Sequence, residues 1–143
     1  MNNNFYIVIP CFNEENNVDQ VIKELLKNLN DYENYKLLLV DDGSIDKTWT
    51  KIKSQCNSNS KVLGLKLSRN FGKEAAISAG LSTLSKLEEY DFTIVIDADL
   101  QHPVNKIPEM INTWKENCQI VTTYKKNNVE NFIRKKGSDL FYF

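Results

Sequence analysis

Strand-like and helix-like segments alternate along all 143 residues, and that order predicts an α/β domain with a mainly parallel sheet and helices on both faces. A second observation sharpens the expectation: two hydrophobic runs end in acids, Asp41-Asp42-Gly43-Ser44 and Asp97-Ala98-Asp99. The carboxyl edge of an open α/β sheet is where ligands bind. No internal repeat, low-complexity linker or charge block divides the chain, so residues 1–143 read as one domain.

The elements follow in order. Tyr6-Ile7-Val8-Ile9 is a short β-rich run halted by Pro10. Val18, Val21, Ile22, Leu25, Leu26 and Leu29 keep helical spacing without a miss, with Asn and Glu residues at the start as caps. Leu37 to Val40 is the next strand. Thr48 to Cys56 is a shorter helix, with Trp49, Ile52 and Cys56 on one face and Asp46 as its cap. In the third strand, Val62 to Leu67, residues Leu63, Leu65 and Leu67 alternate onto one side. Lys73 to Leu84 is a helix rich in small residues (Ala75, Ala76, Ala79, Gly80), suited to close packing on the sheet. Phe92 to Ile96 is a fourth strand, and Pro103 to Trp114 a fourth helix with Ile107, Met110, Ile111 and Trp114 as its stripe. Gln119 to Thr123 reads as a fifth strand, and the last twenty residues as a loop and the start of another helix.

Composition narrows the function. Eighteen Lys and Arg stand against nineteen Asp and Glu, a net charge of -1 that gives nucleic-acid or anionic-lipid binding no bulk support. The three cysteines Cys11, Cys56 and Cys118 form no CxxC pair or Cys/His cluster, so neither a zinc site nor a disulfide framework is indicated. Met1-Asn2-Asn3-Asn4 lacks the features of a signal peptide, and no apolar stretch approaches the roughly 18 residues of a membrane helix. The expectation is a soluble, cytoplasmic domain. Leu140-Phe141-Tyr142-Phe143 ends on aromatics, as a piece of a longer protein would, and their exposure would favour homo-oligomers.

Each motif has a plain alternative. Asp97 and Asp99, one residue apart on a turn, could bind Mg²⁺ or Mn²⁺, which take oxygen ligands and pair with substrate phosphates; they could also be turn and cap aspartates. Asp41-Asp42-Gly43-Ser44 could accept hydrogen bonds from nucleobase N–H groups, or be a DG turn. Pro10 to Glu15 lies on the same edge and could be only a turn and cap. Ser68 to Lys73 opens a helix with Arg69 and Lys73 nearby, a phosphate-binding arrangement, although such cations are usually just solvated. No GxxxxGK[ST] or GxGxxG pattern is present, so P-loop and dinucleotide readings fail. His102, the only histidine, reads as shaping the turn before Pro103.

Taken together, IPCFNEENNV (9–18), LVDDGSIDKT (39–48), LSRNFGKEAAISAGL (67–81) and DADLQHP (97–103) resemble family 2 glycosyltransferases, within them the polyprenyl-phosphate sugar transferases of the dolichol-phosphate mannose synthase and bactoprenol glucosyltransferase group. The resemblance covers essentially the whole chain. It implies the three-layer α/β/α GT-A fold, Rossmann-like, and a UDP-sugar or GDP-sugar donor. It implies that Pro10, Phe12, Glu14, Val40 and Asp42 line the base and ribose pocket, Phe12 replacing a tyrosine common there. Asp97, Ala98, Asp99 and Gln101 would surround metal and diphosphate, with Asp97 and Asp99 as metal carboxylates. Lys125 falls where the family commonly has an arginine near the phosphates, and Arg134, Lys135 and Ser138 look like the start of its acceptor-phosphate region. The family continues past this point, often into membrane helices that would hold the protein at the inner face of the plasma membrane.

The resemblance implies transfer of a sugar, with inversion, to a polyprenyl phosphate, an acceptor already anionic and in need of no general base. One alternative is transfer to a saccharide hydroxyl in surface polysaccharide synthesis; another is a nucleotide-sugar-binding module without turnover.

Overall fold

Seven apolar or β-favouring residues, FYIVIPC, make β1 (Phe5–Cys11), and YKLLLVD makes β2 (Tyr35–Asp41). Both are buried along nearly their whole length, as strands covered on both faces must be. The computed structural model describes residues 3–87, 89–101 and 103–123. Among these, the sheet is completed by β3 (Val62–Lys66) and β4 (Phe92–Val95), in the order β3-β2-β1-β4 with every pairing parallel. β3 and β4 are only partly buried, in keeping with their edge positions. The helices are α1 (Val18–Asn28), α2 (Thr48–Ser58), α3 (Lys73–Leu84) and α4 (Ile107–Lys115), the last preceded by a 3₁₀ turn at Val104–Lys106. Among the described residues no helix is long and apolar enough to cross a membrane.

The two sheet faces are divided by residue parity. Tyr6, Val8, Leu38 and Val40 cluster with Ala76 and Leu84 of α3, and Leu63, Leu65 and Leu67 pack against them. On the other face Gly64 leaves room for Ile52, Trp49 and Cys56 of α2, and α1 lies beside α2. Lys51 and Gln55 of α2 both reach Asp19 of α1, at 2.5 and 2.8 Å. At the amino end of the strands, Phe92, Phe5 and Tyr35 stack across three strands with centroids 4.9 and 5.6 Å apart, following the register Phe92↔Phe5↔Tyr35.

The chain divides into two compact units, Met1–Pro108 and Glu109–Phe143. The first contains the whole sheet. Of the second, the described part is the remainder of α4 and an irregular segment to residue 123.

Several expectations need correction. β1 is not halted by Pro10 but runs through it to Cys11. Val8 O accepts from Ile96 N on the β4 side, and residues two apart in a strand point the same way. The missing N–H of Pro10 therefore faces the side where β4 has already ended, so no ladder bond is lost. Asn17 does not cap α1 through its side chain; its Nδ2 donates to Glu14 Oε2 at 2.6 Å instead. The residues expected as a fifth strand, 119–123, are irregular and pair with no strand among the described residues, and Ile120 is 83% exposed. Their β-favouring composition has no ladder to join, and isolated strands are not stable in water.

Gly80 tests the close packing of α3. A Cβ there would lie 2.8 Å from Val8 Cγ1 and 3.2 Å from Val40 Cγ2. Gly80→Ala gains about 1 kcal/mol of helix propensity, but overpacking a buried site costs about 1–3 kcal/mol. Urea denaturation should show net destabilisation, smaller when Val8→Ala has first made room.

A candidate donor-binding cleft at the strand-order switch

From β1 the chain steps outward to β2 and β3, then returns to place β4 on the opposite side of β1. This is a topological switch point, where the loops leaving β1 and β4 diverge and open a crevice. A cleft of about 290 Å³ is found there. Its walls include Pro10 near the end of β1, Phe12 and Glu14 after it, Asp42 after β2, Lys73 at the start of α3, and Asp97, Ala98 and Asp99 after β4.

The loops are locked before any ligand arrives. Asn13 N donates to Ser44 Oγ (2.9 Å), and Ile45 N returns a bond to Asn13 Oδ1 (3.1 Å). Glu14 N donates to Thr48 Oγ1 (2.8 Å), while Glu15 N donates to Asp46 Oδ2 (3.1 Å) and Lys47 N to Glu15 Oε2 (3.0 Å). The motif residues Asn13, Glu15, Ser44, Asp46 and Thr48 are therefore a reciprocal fastening between the loops after β1 and β2. Asp46 also takes Thr48 N at 2.9 Å, capping α2 as expected although Lys47 holds the cap position.

Asp42 is 3% exposed, and its two oxygens accept from consecutive backbone groups, Phe71 N (2.8 Å) and Gly72 N (2.9 Å). It thereby ties the end of β2 to the loop that opens α3. Gly43 has φ +67, and a Cβ there would sit 2.3 Å from the carbonyl carbon of Arg69, so this crossing requires glycine. Asp41 is fully buried; Oδ1 accepts from Ser44 N (3.1 Å) and Oδ2 lies 3.8 Å from Lys66 Nζ.

Also on the cleft wall, Lys73 Nζ lies 2.5 Å from Asp97 Oδ1. Asp99 is exposed and its Oδ1 accepts from Gln101 N at 3.0 Å. Leu100 follows with φ +57, a conformation that bulky residues rarely adopt and that is seen at sites where structure is held by function. Two carboxylates on one turn, one already against a cation, fit Mg²⁺ or Mn²⁺, which take one or two carboxylates and complete their shell with phosphate and water. No group of three or more metal-ligating side chains occurs among the described residues. Cys11 also lines the cleft, but burial pushes its thiol pKa well up, with Glu14 and Asp41 adding to the rise, so it is no nucleophile at neutral pH.

Eight of the residues expected at the site line this one cleft: Pro10, Phe12, Glu14, Asp42, Lys73, Asp97, Ala98 and Asp99. Three lie elsewhere. Val40 is fully buried, its side chain facing Gly80 of α3. Arg69 places its guanidinium over the Phe71 ring, 4.4 Å from the centroid. Gln101 is exposed and meets Asp99 through its backbone. His102, Lys125, Arg134, Lys135 and Ser138 lie outside the described residues. Asn70, Gly72 and Ala76 also line the cleft but were not singled out; their position in the SRNFGKEAA string, beside Lys73, was the available signal.

Two measurements test this wiring. Asp42→Asn turns an amide donor toward one of the two backbone donors, so urea denaturation should register a loss of about 1–3 kcal/mol. Acid sensitivity tests the loop fastening. Hydrogen bonds from Lys51 and Gln55 lower the pKa of Asp19; burial raises that of Asp46, but bonds from Thr48 and Glu15 outweigh it and leave it below its ordinary 3.8. A carboxyl depressed in the folded state contributes stability above its unfolded pKa and loses it as pH falls through the folded one. Melting temperature should therefore fall steadily on acidification below about pH 4, and Asp46→Asn should flatten part of that dependence.

Residues 6–143 match the model of Glycosyl transferase family 2. The chain is 34% identical over 140 residues to undecaprenyl-phosphate 4-deoxy-4-formamido-L-arabinose transferase of Proteus mirabilis, covering 96% of this chain and 42% of that protein. It spans about two fifths of the length of the curated relatives it matches (40–42%). In structure it resembles S. aureus TarS 1-349, solved with UDP-GlcNAc, at TM-score 0.60 and 18% identity over 80% of this chain and 31% of that one. It also resembles glucosyl-3-phosphoglycerate synthase of Mycobacterium tuberculosis, solved with Mn²⁺, UDP and glucosyl-3-phosphoglycerate, at TM-score 0.59 and 22% identity over 78% and 39%. The fold is the GT-A fold, and the chain belongs to glycosyl transferase family 2.

Proposed function

We propose that this chain carries the donor-binding part of an inverting, metal-dependent transferase that moves a sugar from a UDP- or GDP-sugar to a polyprenyl phosphate. One observation carries the reading: an aromatic residue, a buried carboxylate, a DxD pair and a lysine line a single cleft at the switch point. That combination suits a nucleoside diphosphate, whose base is flat and apolar and whose diphosphate is anionic. Phe12, 42% exposed, offers a ring for the base to stack on. The oxygens of Asp42 each keep a further acceptor site beyond their backbone bonds, available to a base N–H.

Asp97 and Asp99 would hold Mg²⁺ or Mn²⁺, which when bound supplies Lewis-acid stabilisation of the departing diphosphate. Lys73 adds a second positive charge beside Asp97 in the same cleft. The acceptor phosphate oxygen would attack the anomeric carbon on the face opposite the breaking bond to the diphosphate, inverting that centre. Already anionic, it gives up no proton. The polyprenyl acceptor is supported by the Proteus mirabilis relative, named as an undecaprenyl-phosphate transferase, and by the family resemblance of Lys125, Arg134, Lys135 and Ser138. Such an acceptor would place the full-length protein at the inner face of the plasma membrane.

Calorimetric titration of UDP and GDP, each with and without Mn²⁺, tests the donor site. One nucleotide should bind in a metal-dependent way, and Asp99→Ala should weaken that binding at least about tenfold, the loss expected for a charge-assisted contact. Binding of neither nucleotide to folded protein would overturn the donor-site assignment.

A further inference from the structure

Asp97 does not wait for its cation with an open carboxylate. Lys73 Nζ is 2.5 Å from its Oδ1, and the lysine is held there by the backbone. Gly72, immediately before it, has φ +98, and its N–H is gripped by Asp42 Oδ2 (2.9 Å) and Asn70 Oδ1 (3.0 Å). The first residue of α3 is thus delivered to the turn after β4 by a clamp anchored at the end of β2. The clamp fixes the lysine backbone, while the four-carbon stem and ammonium stay free to turn.

We propose that Lys73 is an exchangeable counter-ion. In the free protein it neutralises Asp97; a divalent cation takes Asp97 only by displacing it, and the released ammonium then contacts the donor diphosphate. This rests on the reading of Asp97 as a metal carboxylate. A divalent cation on either oxygen of the same carboxylate would lie close to the ammonium, and two cations that near repel strongly. The pair is also cheap to part, since Lys73 is 53% and Asp97 25% exposed, and exposed ion pairs contribute little. After exchange, the ammonium has phosphate oxygens within the same cleft as its next partner. No bond is made or broken in the exchange; only partners change.

The consequence is a pair of opposite effects from one substitution. Lys73→Met should raise the affinity for Mn²⁺ alone about two- to fivefold, the worth of an exposed ion pair. It should lower the affinity for the nucleotide in the presence of Mn²⁺ about tenfold, the worth of a charge-assisted hydrogen bond. Lys73→Arg should keep Mn²⁺ affinity near that of the wild type. Lys66→Met, which removes an equal charge next to Asp41, should leave it unmoved and so controls for bulk charge. In the wild type, diamagnetic Mg²⁺ should shift the Lys73 side-chain ammonium resonance, identified by its loss in Lys73→Arg, toward that of an exposed lysine. If Mn²⁺ binds the wild type, is lost in Asp97→Ala, and binds Lys73→Met no more tightly, the exchange is overturned while the metal site stands. If Mn²⁺ binds no variant, with or without nucleotide, the metal reading falls and the exchange falls with it.

Discussion

Parallel pairing of β1 with β2 on one side and β4 on the other is the constraint from which the site follows. A parallel neighbour cannot follow directly by a hairpin, so each step across the sheet requires a crossover that returns the chain to the same edge. All four strands therefore deliver their carboxyl ends to one side. Because the outward steps to β2 and β3 are followed by a return to the far side of β1, the loops after β1 and β4 part from each other. The crevice between them is a by-product of strand order, and the polar residues at its walls are supported by a dry, doubly covered β1.

The cleft is built in two tiers. The outer tier is a set of backbone N–H groups answered by side-chain oxygens of the neighbouring loop, Asn13 with Ser44, Glu14 with Thr48, and Glu15 with Asp46. Loops carry unpaired backbone groups that cannot be buried without partners, and these short polar side chains supply them. The inner tier is Asp42, whose carboxylate satisfies Phe71 N–H and Gly72 N–H and so sets where α3 begins. One acid after β2 thereby fixes the position of the lysine that opens α3. A cleft assembled in this way is organised before any ligand enters, which limits the ordering cost of binding.

Much of this was readable from residue order. The spacing of Val18, Val21, Ile22 and Leu25 located α1, and the small residues Ala76 and Gly80 anticipated the close contact of α3 with Val8 and Val40. The DxD turn and the lysine of SRNFGK were expected in the site, and both line the cleft. Other features were misjudged because local signals omit the partner strand. Pro10 looks like a strand terminator until β4 is seen to stop short of it. Residues 119–123 look like a strand, yet composition does not supply a ladder. The stacking of the Arg69 guanidinium over Phe71 was likewise not legible, since ring contacts are not written in local spacing.

The sequence by itself determined what is local: which segments are strands or helices, and which acids and cations stand at their ends. Hydrophobic periodicity and turn chemistry act over a few residues, and they are written in the chain. Only the tertiary structure decided that β4 joins β1 rather than β3, that Asp42 spends its bonds on Phe71 and Gly72, and that Lys73 meets Asp97. Each of these joins residues more than twenty positions apart. Choosing among the many polar partners of like chemistry is a matter of long-range packing, and no spacing along the chain encodes it.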